Sequence, residues 1–259
     1  MRFACGVEYD GSGFSGWQRQ PHARSVQAEV EAGLSKVADH PVTICCAGRT
    51  DAGVHATAQV IHFDTNAERS ARSWVLGTNA NLRADARLLW IKEADSDFHA
   101  RFSALARSYR YVILNRDVPS ALMRDRSTWV HRPLDEARMR EGADYLVGEK
   151  DFSSFRALAC QAKSPVRTVR HLNVTRSGEY LYVDVQANAF LHHMVRNIAG
   201  VLIAVGSGER PPEWVGDILE KRDRTQGGVT APAQGLYLVG VRYPDSYAIV
   251  PPGTPPTFG

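Results

Sequence analysis

The chain has 259 residues, of which 44% are hydrophobic and 23% charged, and its formal net charge at pH 7 is +3. This length allows one large domain or two smaller ones with a sizeable core, and so small a charge does not by itself indicate a nucleic-acid partner. No run of about 18 apolar residues occurs and the N-terminus turns polar early, so we expect a cytoplasmic protein with neither a membrane span nor a secretory signal.

The N-terminal part of the chain predicts four strands and one helix. "RFACGVEYD" alternates apolar and polar residues, which predicts a strand. Ser25 is placed to cap a helix whose apolar stripe is Val26, Val30, Leu34 and Val37. "VTICC" and "TAQVIHFDT" predict strands on either side of the segment "CAGRTDAGVHA", and "ARLLWIKEA" predicts another strand.

The C-terminal part of the chain also predicts both strands and helices. "SYRYVILN" predicts a strand, and a helix is expected from about Asp135 to Val147, with Gly148 as its stop. "HLNVTRS" and "YLYVDVQA" predict a hairpin, "HHMVRNIAGVLIAVGSG" a helix and "GLYLVGVRY" a final strand. These elements predict an α+β protein with largely antiparallel sheet. We expect one half over residues 1–105, a second over 106–245, and a Pro-rich disordered tail over 246–259.

The segment "GSGFSG" matches the glycine pattern of dinucleotide-binding proteins and follows a predicted strand. Such a fingerprint must open a helix at once, so that the helix N-terminus faces the pyrophosphate. Here the next predicted helix starts only near Ser25, and no acidic residue ends a second strand at the required distance. The sequence around this glycine pattern therefore argues against a nicotinamide-dependent oxidoreductase.

A short loop between two predicted strands holds Arg49 and Asp51, bounded by Gly48 and Gly53. An aspartate in such a loop commonly bonds its own backbone or caps a helix, and this is the structural interpretation. A catalytic carboxylate is the functional one, since a loop between core strands is held rigidly, as a catalytic site requires.

Arginine is concentrated between residues 100 and 132, where the chain holds Arg101, Arg107, Arg110, Arg116, Arg124, Arg126 and Arg132 against Asp117 and Asp125. Guanidinium groups match phosphate geometry, so a groove for a polyanion is one interpretation and a solvated basic face is the other. The cysteines are Cys5, Cys45, Cys46 and Cys160, without a CxxC pair, and the histidines lack zinc spacing. We therefore predict buried free thiols and no metal.

Taken together, several blocks make the sequence similar to the tRNA pseudouridine synthase A family. The blocks are "YDGSGFSGWQRQP", "VQAEVEAGL", "CAGRTDAGVHATAQVIHF", "FHARFSALARSYRYVILN", "DFSSFR", "NAFLHHMVRNIAG" and "APAQGLYLVGV", and they cover about residues 1–243. The Gly-Arg-Thr-Asp-Ala-Gly-Val-His block is highly specific, whereas each of the others alone is weak. Their common order and spacing carry the resemblance.

The resemblance implies an enzyme that isomerises uridine to pseudouridine at positions 38, 39 and 40 of the tRNA anticodon stem-loop. It implies a cytoplasmic homodimer that binds tRNA in a basic cleft and needs neither metal nor organic cofactor. It also implies the α+β pseudouridine synthase fold, in which two similar halves have mostly antiparallel sheets joined across a central active-site cleft, with helices on the outer face.

Carried over by motif, the family's catalytic aspartate falls on Asp51, its active-site tyrosine on Tyr109, and the arginine that pairs with the aspartate on Arg196. Arg49 corresponds to the arginine that replaces the flipped base or grips its phosphate, and Leu236 to an apolar wall of the uracil pocket. Arg101, Arg107 and Arg110 are expected to line the RNA groove. One departure is His192, which stands where the family often has tyrosine.

A carboxylate in a dry pocket needs a cationic neighbour, because desolvation alone would raise its pKa and protonate it. Arg196 beside Asp51 meets that need, although a purely structural salt bridge would look the same. Asp51 can attack uracil C6, attack ribose C1′ or remove a proton from C2′, and the sequence does not choose among these routes. The alternative from another class is an inactive RNA-binding protein of the same fold.

Overall fold

The protein is described here from a computed structural model, which covers residues 1–157, 160–249 and 255–258. Within them the strands are β1 Arg2–Tyr9, β2 Cys45–Cys46, β3 His55–Asp64, β4 Ala86–Ala94, β5 Ala106–Asn115, β6 Thr128–Val130, β7 Gly148–Asp151, β8 Val166–Ser177, β9 Tyr180–Ala187 and β10 Leu236–Arg242. The α-helices are α1 Val26–Ala38, α2 Ala71–Asn81, α3 Glu136–Asp144, α4 Met194–Gly206 and α5 Trp214–Lys221. The predicted α+β class is confirmed.

The chain forms two compact units. Unit 1 comprises residues 1–107 and 237–255, and unit 2 comprises residues 108–236 and 256–259. The predicted halves met near residue 105, close to the first of these boundaries. The sequence-based division differs in assigning residues 237–245 to the second half, whereas β10 pairs in parallel with β3 of unit 1, through Tyr237 opposite His55.

Unit 1 is a mixed sheet with two helices on it. Its strand order is β4-β1-β3-β10, β1 is antiparallel to both β3 and β4, and β2 adds to β3. Ser25 caps α1 by accepting a hydrogen bond from the backbone N–H of Ala28, as predicted. Helix α2 inserts the fully buried Trp74 between Phe3 and Phe63, with ring centroids 5.9 and 5.4 Å away. This aromatic core holds α2 against β1 and against β3, the strand that follows the Asp51 loop.

Unit 2 has the strand order β5-β9-β8-β7, with β6 parallel to β5. The predicted hairpin is β8–β9, which turns at Gly178. Helix α4 carries a broad apolar face, including the fully buried Ile198 and Leu202, and packs against α3. Asp135 caps α3 by accepting from two backbone N–H groups of its first turn.

Some local predictions need correction. Strand β2 is only two residues long, because Val42 and Ile44 turn inward as buried loop residues instead of pairing along β3. Cys5 is buried, but Cys45 is exposed, so the prediction of buried thiols was wrong there. "GSGFSG" contains a 3-10 turn, Gly11–Gly13, and the next helix begins at Val26, which is incompatible with a dinucleotide fingerprint.

Two further expectations concern the tail and membranes. Of the tail predicted to be disordered, residues 250–254 and 259 lie outside the described residues. Within 255–258, Phe258 exchanges backbone hydrogen bonds with the hydroxyl of Tyr182, at 2.7 and 2.8 Å, and Pro256 accepts from Arg110. No helix in the described part of the chain combines the length and the apolar character needed to cross a bilayer.

Candidate active site

The Asp51 loop, residues 47–54, connects β2 to β3 and is bonded to the sheet beneath it. Ala47 N–H donates to the carbonyl of Val60 at 2.8 Å. The buried amide of Gln59 donates to the carbonyl of Gly48 at 2.6 Å. The hydroxyls of Tyr9 and Thr50 hydrogen-bond at 2.8 Å inside the core. The loop therefore presents its residues from a rigid base, as the sequence predicts.

A second loop, residues 11–17, covers the Asp51 loop from the other side. Trp17 N–H donates to the carbonyl of Thr50 at 2.9 Å, and the Trp17 side chain is buried. A Cβ on Gly11 would lie 2.0 Å from the carbonyl oxygen of Val54, and Gly16 has φ +92°. Only glycine fits these two positions, because one approaches backbone and the other adopts the left-handed region. "GSGFSG" therefore supports the Asp51 loop instead of binding a nucleotide.

Asp51 and Arg49 are presented differently by this loop. Asp51 is half-buried, Arg49 is exposed, and the backbone N–H of Val54 donates to the carbonyl of Asp51 at 3.2 Å. A half-buried carboxylate on a fixed backbone keeps access to a ligand while its position is set by the fold. The loop therefore suits a group that must act as a base or nucleophile at a defined point.

Beside the loop, Asp10 and His55 form a pair that sequence analysis missed. Nδ1 of the buried His55 lies 3.2 Å from the carboxylate of Asp10, and the ring stacks on Tyr237 with centroids 4.6 Å apart. The close contact with His55, together with hydrogen bonds from the backbone N–H and hydroxyl of Ser12, holds the pKa of Asp10 well below its usual value. Asp10 also caps the Gly11–Gly13 turn by accepting a hydrogen bond from the backbone N–H of Ser12.

In unit 2 the two tyrosines of "SYRY" have distinct surroundings. Tyr111 is fully buried, and its hydroxyl bonds both Thr128 and the carbonyl of Pro232. Burial raises the pKa of Tyr111. Tyr109 keeps 8% of its surface exposed and meets the ring of Phe190 edge-on at 4.9 Å. Of the two, Tyr109 is the less completely buried, and its role in the active site stays a prediction.

Arg196 lies in the first turn of α4 and is attached to the segment 228–231. Its Nε donates to the carbonyl of Ala231 at 2.8 Å, and the N–H of Ala231 donates to the carbonyl of Arg196 at 3.1 Å. One turn on, a Cβ on Gly200 would lie 1.8 Å from the carbonyl oxygen of Val229. The buried Asn197 accepts from Arg224 and Thr230. Arg196 belongs to unit 2 and Asp51 to unit 1, and their pairing stays a prediction.

The three arginines expected in the RNA groove have different partners. Both Arg110 nitrogens Nε and Nη2 donate to the carboxylate of Asp184, at 2.7 and 2.8 Å. Arg107 is half-buried and donates to the carbonyls of Ala47 and Arg101, at 2.9 and 2.6 Å. Arg101 is exposed. Arg101 is therefore the member of this set whose guanidinium is best placed for a phosphate. Leu236, at the start of β10, is 6% exposed.

Next to Arg101, the rings of His62 and His99 form a pair. The ring centroids of His62 and His99 are 4.5 Å apart, and the Sγ of Cys45 and nitrogens of both rings lie within 4.8 Å of one another. Each ring accepts a backbone N–H at Nδ1, from Ala100 and Arg101, so the proton of each neutral ring is on Nε2. In each ring Nδ1 then accepts a hydrogen bond and Nε2 carries the proton, so no ring nitrogen has a lone pair left for a metal. The prediction of no metal stays a prediction.

We expect the stability of the protein to fall as pH drops from about 6.5 to 4, in part because of His62. Burial, His99 and Arg2 lower the pKa of His62 to about 4, against the raising effect of Asp64. The unfolded chain then binds a proton that the folded chain rejects, so stability is fully present above the unfolded pKa and is lost below it. The loss amounts to about 2–3 kcal/mol. Urea unfolding at pH 7 and 4.5 should show a smaller loss for His62→Gln, and an equal loss would contradict this origin.

The chain is similar to known proteins over most of its length. A family model described as tRNA pseudouridine synthase matches residues 6–103 and 143–244. Proteins named tRNA pseudouridine synthase A from Methylococcus capsulatus and Nitrosococcus oceani are 62% and 59% identical, over 96% and 95% of this chain and 92% and 95% of theirs. The Coxiella burnetii protein of the same name is 55% identical, over 96% of this chain and 95% of its own. The chain therefore belongs to the tRNA pseudouridine synthase family.

Proposed function

We propose that this protein converts uridine to pseudouridine in tRNA, within the anticodon stem-loop at positions 38, 39 and 40. The observation that carries the proposal is the match to the tRNA pseudouridine synthase model over residues 6–103 and 143–244. The sequence of the Asp51 loop is intact within the first of these ranges. The named relatives support tRNA as the substrate. We further propose a cytoplasmic homodimer that works without a metal or an organic cofactor.

The isomerisation breaks the bond between N1 of uracil and C1′ of ribose and forms a bond between C5 and C1′. N1 gains a proton and C5 loses one, so no oxidant or group donor is consumed. Asp51 supplies the carboxylate that attacks C6, attacks C1′ or removes the C2′ proton. Each route needs the carboxylate ionised and fixed, and the bonds of Gln59, Tyr9 and Trp17 to its loop favour a fixed position.

The remaining roles follow the chemistry of the side chains. Arg196 pairs with Asp51 and supplies the opposite charge that a carboxylate covered by substrate requires. The target base must leave the stem-loop stack, which costs a few kcal/mol, and stacking on an aromatic face returns about 1–3 kcal/mol. Tyr109 supplies that face and a hydroxyl for the C5 proton. Leu236 forms an apolar wall, and Arg49 takes the place of the flipped base or holds its phosphate.

The proposal is tested with tRNA transcripts that carry tritium at C5 of uracil. We expect the wild-type protein to release the label to water with EDTA present and no metal added, because C5 loses its hydrogen when it bonds C1′. Transcripts with cytidine at positions 38, 39 and 40 serve as the matched control and should release none. Binding of tRNA without label release would contradict the proposal and support the inactive RNA-binding alternative.

A further inference from the structure

An exposed aromatic ring stands on the loop of residues 99–103, close in the chain to the groove arginine Arg101. Phe102 has 75% of its surface exposed, although folding normally favours burying such a ring. We propose that Phe102 is a stacking platform for an unpaired base of the tRNA substrate, with Arg101 holding the neighbouring phosphate. This platform is a binding site additional to the pocket for the isomerised uridine, and it rests on the proposed function.

The backbone beneath Phe102 is closed by hydrogen bonds. His99 N–H donates to the hydroxyl of Ser103 at 3.0 Å, and Ser103 N–H donates back to the carbonyl of His99 at 2.9 Å. Nδ1 of His99 accepts from the N–H groups of both Arg101 and Phe102, at 3.1 and 3.3 Å. A ring held on so tight a loop loses little freedom on binding, which is the property of a preorganised contact.

Two more rings support Phe102 from below. The ring of His99 is 4.4 Å from that of Phe102 at 35°, and His62 in turn lies 4.5 Å from His99. Burial lowers the pKa of both histidines, that of His62 to about 4, so both imidazoles are neutral at physiological pH. The ring that contacts Phe102, that of His99, is therefore uncharged. The three rings form a series from the buried His62 to the exposed Phe102, which keeps the outer ring in one place.

The charge on this loop favours a nucleic acid over an apolar partner. The guanidinium of Arg101 lies 5.5 Å from the centre of the Phe102 ring. In the part of the chain that the structure describes, no carboxylate forms an ion pair with Arg101. A base that stacks on an aromatic ring carries a phosphate on either side, so a ring beside an unneutralised arginine fits single-stranded RNA.

The platform is also attached to the Asp51 loop within the same unit. Nη2 of Arg107 donates to the carbonyl of Ala47 at 2.9 Å and to that of Arg101 at 2.6 Å. Ala47 is the first residue of the Asp51 loop, so one guanidinium joins the backbones of the two loops. A base bound on Phe102 therefore fixes RNA relative to the carboxylate, and we expect the platform to act on substrate binding more than on the chemical step.

The test compares Phe102 variants for tRNA affinity, kcat and KM. We expect Phe102→Ala to raise the Kd for tRNA about tenfold with kcat close to wild type, and Phe102→Leu to behave like it, because area without a π face does not stack. Phe102→Tyr should restore binding. Leu122→Ala, which truncates a side chain 88% exposed in unit 2, is the matched control and should leave Kd unchanged. Unchanged affinity in Phe102→Ala, or full affinity in Phe102→Leu, would overturn the platform.

A fluorescence measurement distinguishes failure of the Phe102 platform from failure of the proposed function. In Phe102→Trp, tRNA should quench fluorescence beyond the change seen in the wild type, whether or not the bound RNA is isomerised. Failure of the wild type to release tritium overturns the function alone, whereas absence of added quenching overturns the platform alone. Sedimentation of the Phe102→Ala variant tests the alternative that Phe102 contacts a second copy of the chain. If the wild type is a dimer and this variant dissociates, the RNA site is overturned and a contact between two copies is indicated.

Discussion

Asp51→Ala is expected to abolish tritium release from tRNA, by at least about 10⁴-fold, while tRNA binding stays within a few-fold of wild type. The carboxylate takes part in bond breaking and has no substitute if alanine replaces it. The surrounding loop should survive, because Gln59, Trp17 and the Tyr9–Thr50 pair still hydrogen-bond it to the sheet and to the neighbouring loop. Single-turnover release and filter binding measure the two quantities.

The matched control is Asp95→Ala, which removes an exposed carboxylate from the same unit and should leave release unchanged. Label release by Asp51→Ala at the wild-type rate would remove Asp51 from the mechanism. In the same assay Arg196→Ala should lose most activity, because the variant removes the guanidinium that is proposed to pair with Asp51. Normal turnover of Arg196→Ala would exclude the proposed pair while leaving Asp51 in place.

Gly200→Ala is expected to destabilise the protein by about 3 kcal/mol or more and to lower the melting temperature by about 6–12 °C. The added methyl would lie 1.8 Å from the carbonyl oxygen of Val229, so helix and segment must separate. The intrinsic gain of about 1 kcal/mol for alanine over glycine in a helix is too small to offset this. Because Ala231 holds Arg196, activity should fall as well.

Gly142→Ala is the control for this effect, because it adds the same methyl group to another helix. Its nearest atoms are side-chain methyl groups of Val215 and Leu202, at 3.1 and 3.4 Å, which can move a few tenths of an ångström. Calorimetry of both variants should therefore show a large loss for Gly200 and a small one for Gly142. Equal melting temperatures would contradict the close approach of segment 228–231 to α4.

Local features of the chain could be predicted from the sequence because their causes lie within a few residues. Ser25 and Asp135 accept the first free N–H groups of their helices, and alternation in "RFACGVEYD" follows from one buried face of β1. The Asp51 loop was found by its residues and by its place between strands. The choice of Tyr109 over Tyr111 came from the motif and stays a prediction, although Tyr111 is the more completely buried of the two.

Other features depended on contacts between residues far apart in the chain. Arg101, Arg107 and Arg110 look alike in sequence, yet Arg107 joins two loops and Arg110 pairs with Asp184, because folding brings carbonyls and a carboxylate within reach of these two. Gly11 and Gly200 cannot carry a side chain, because the backbone of residues 54 and 229 approaches them closely. The sequence by itself thus determined the family, the elements and the candidate carboxylate. Only the tertiary structure decided which similar side chains remain available to a ligand, since that depends on which partners the fold has already supplied.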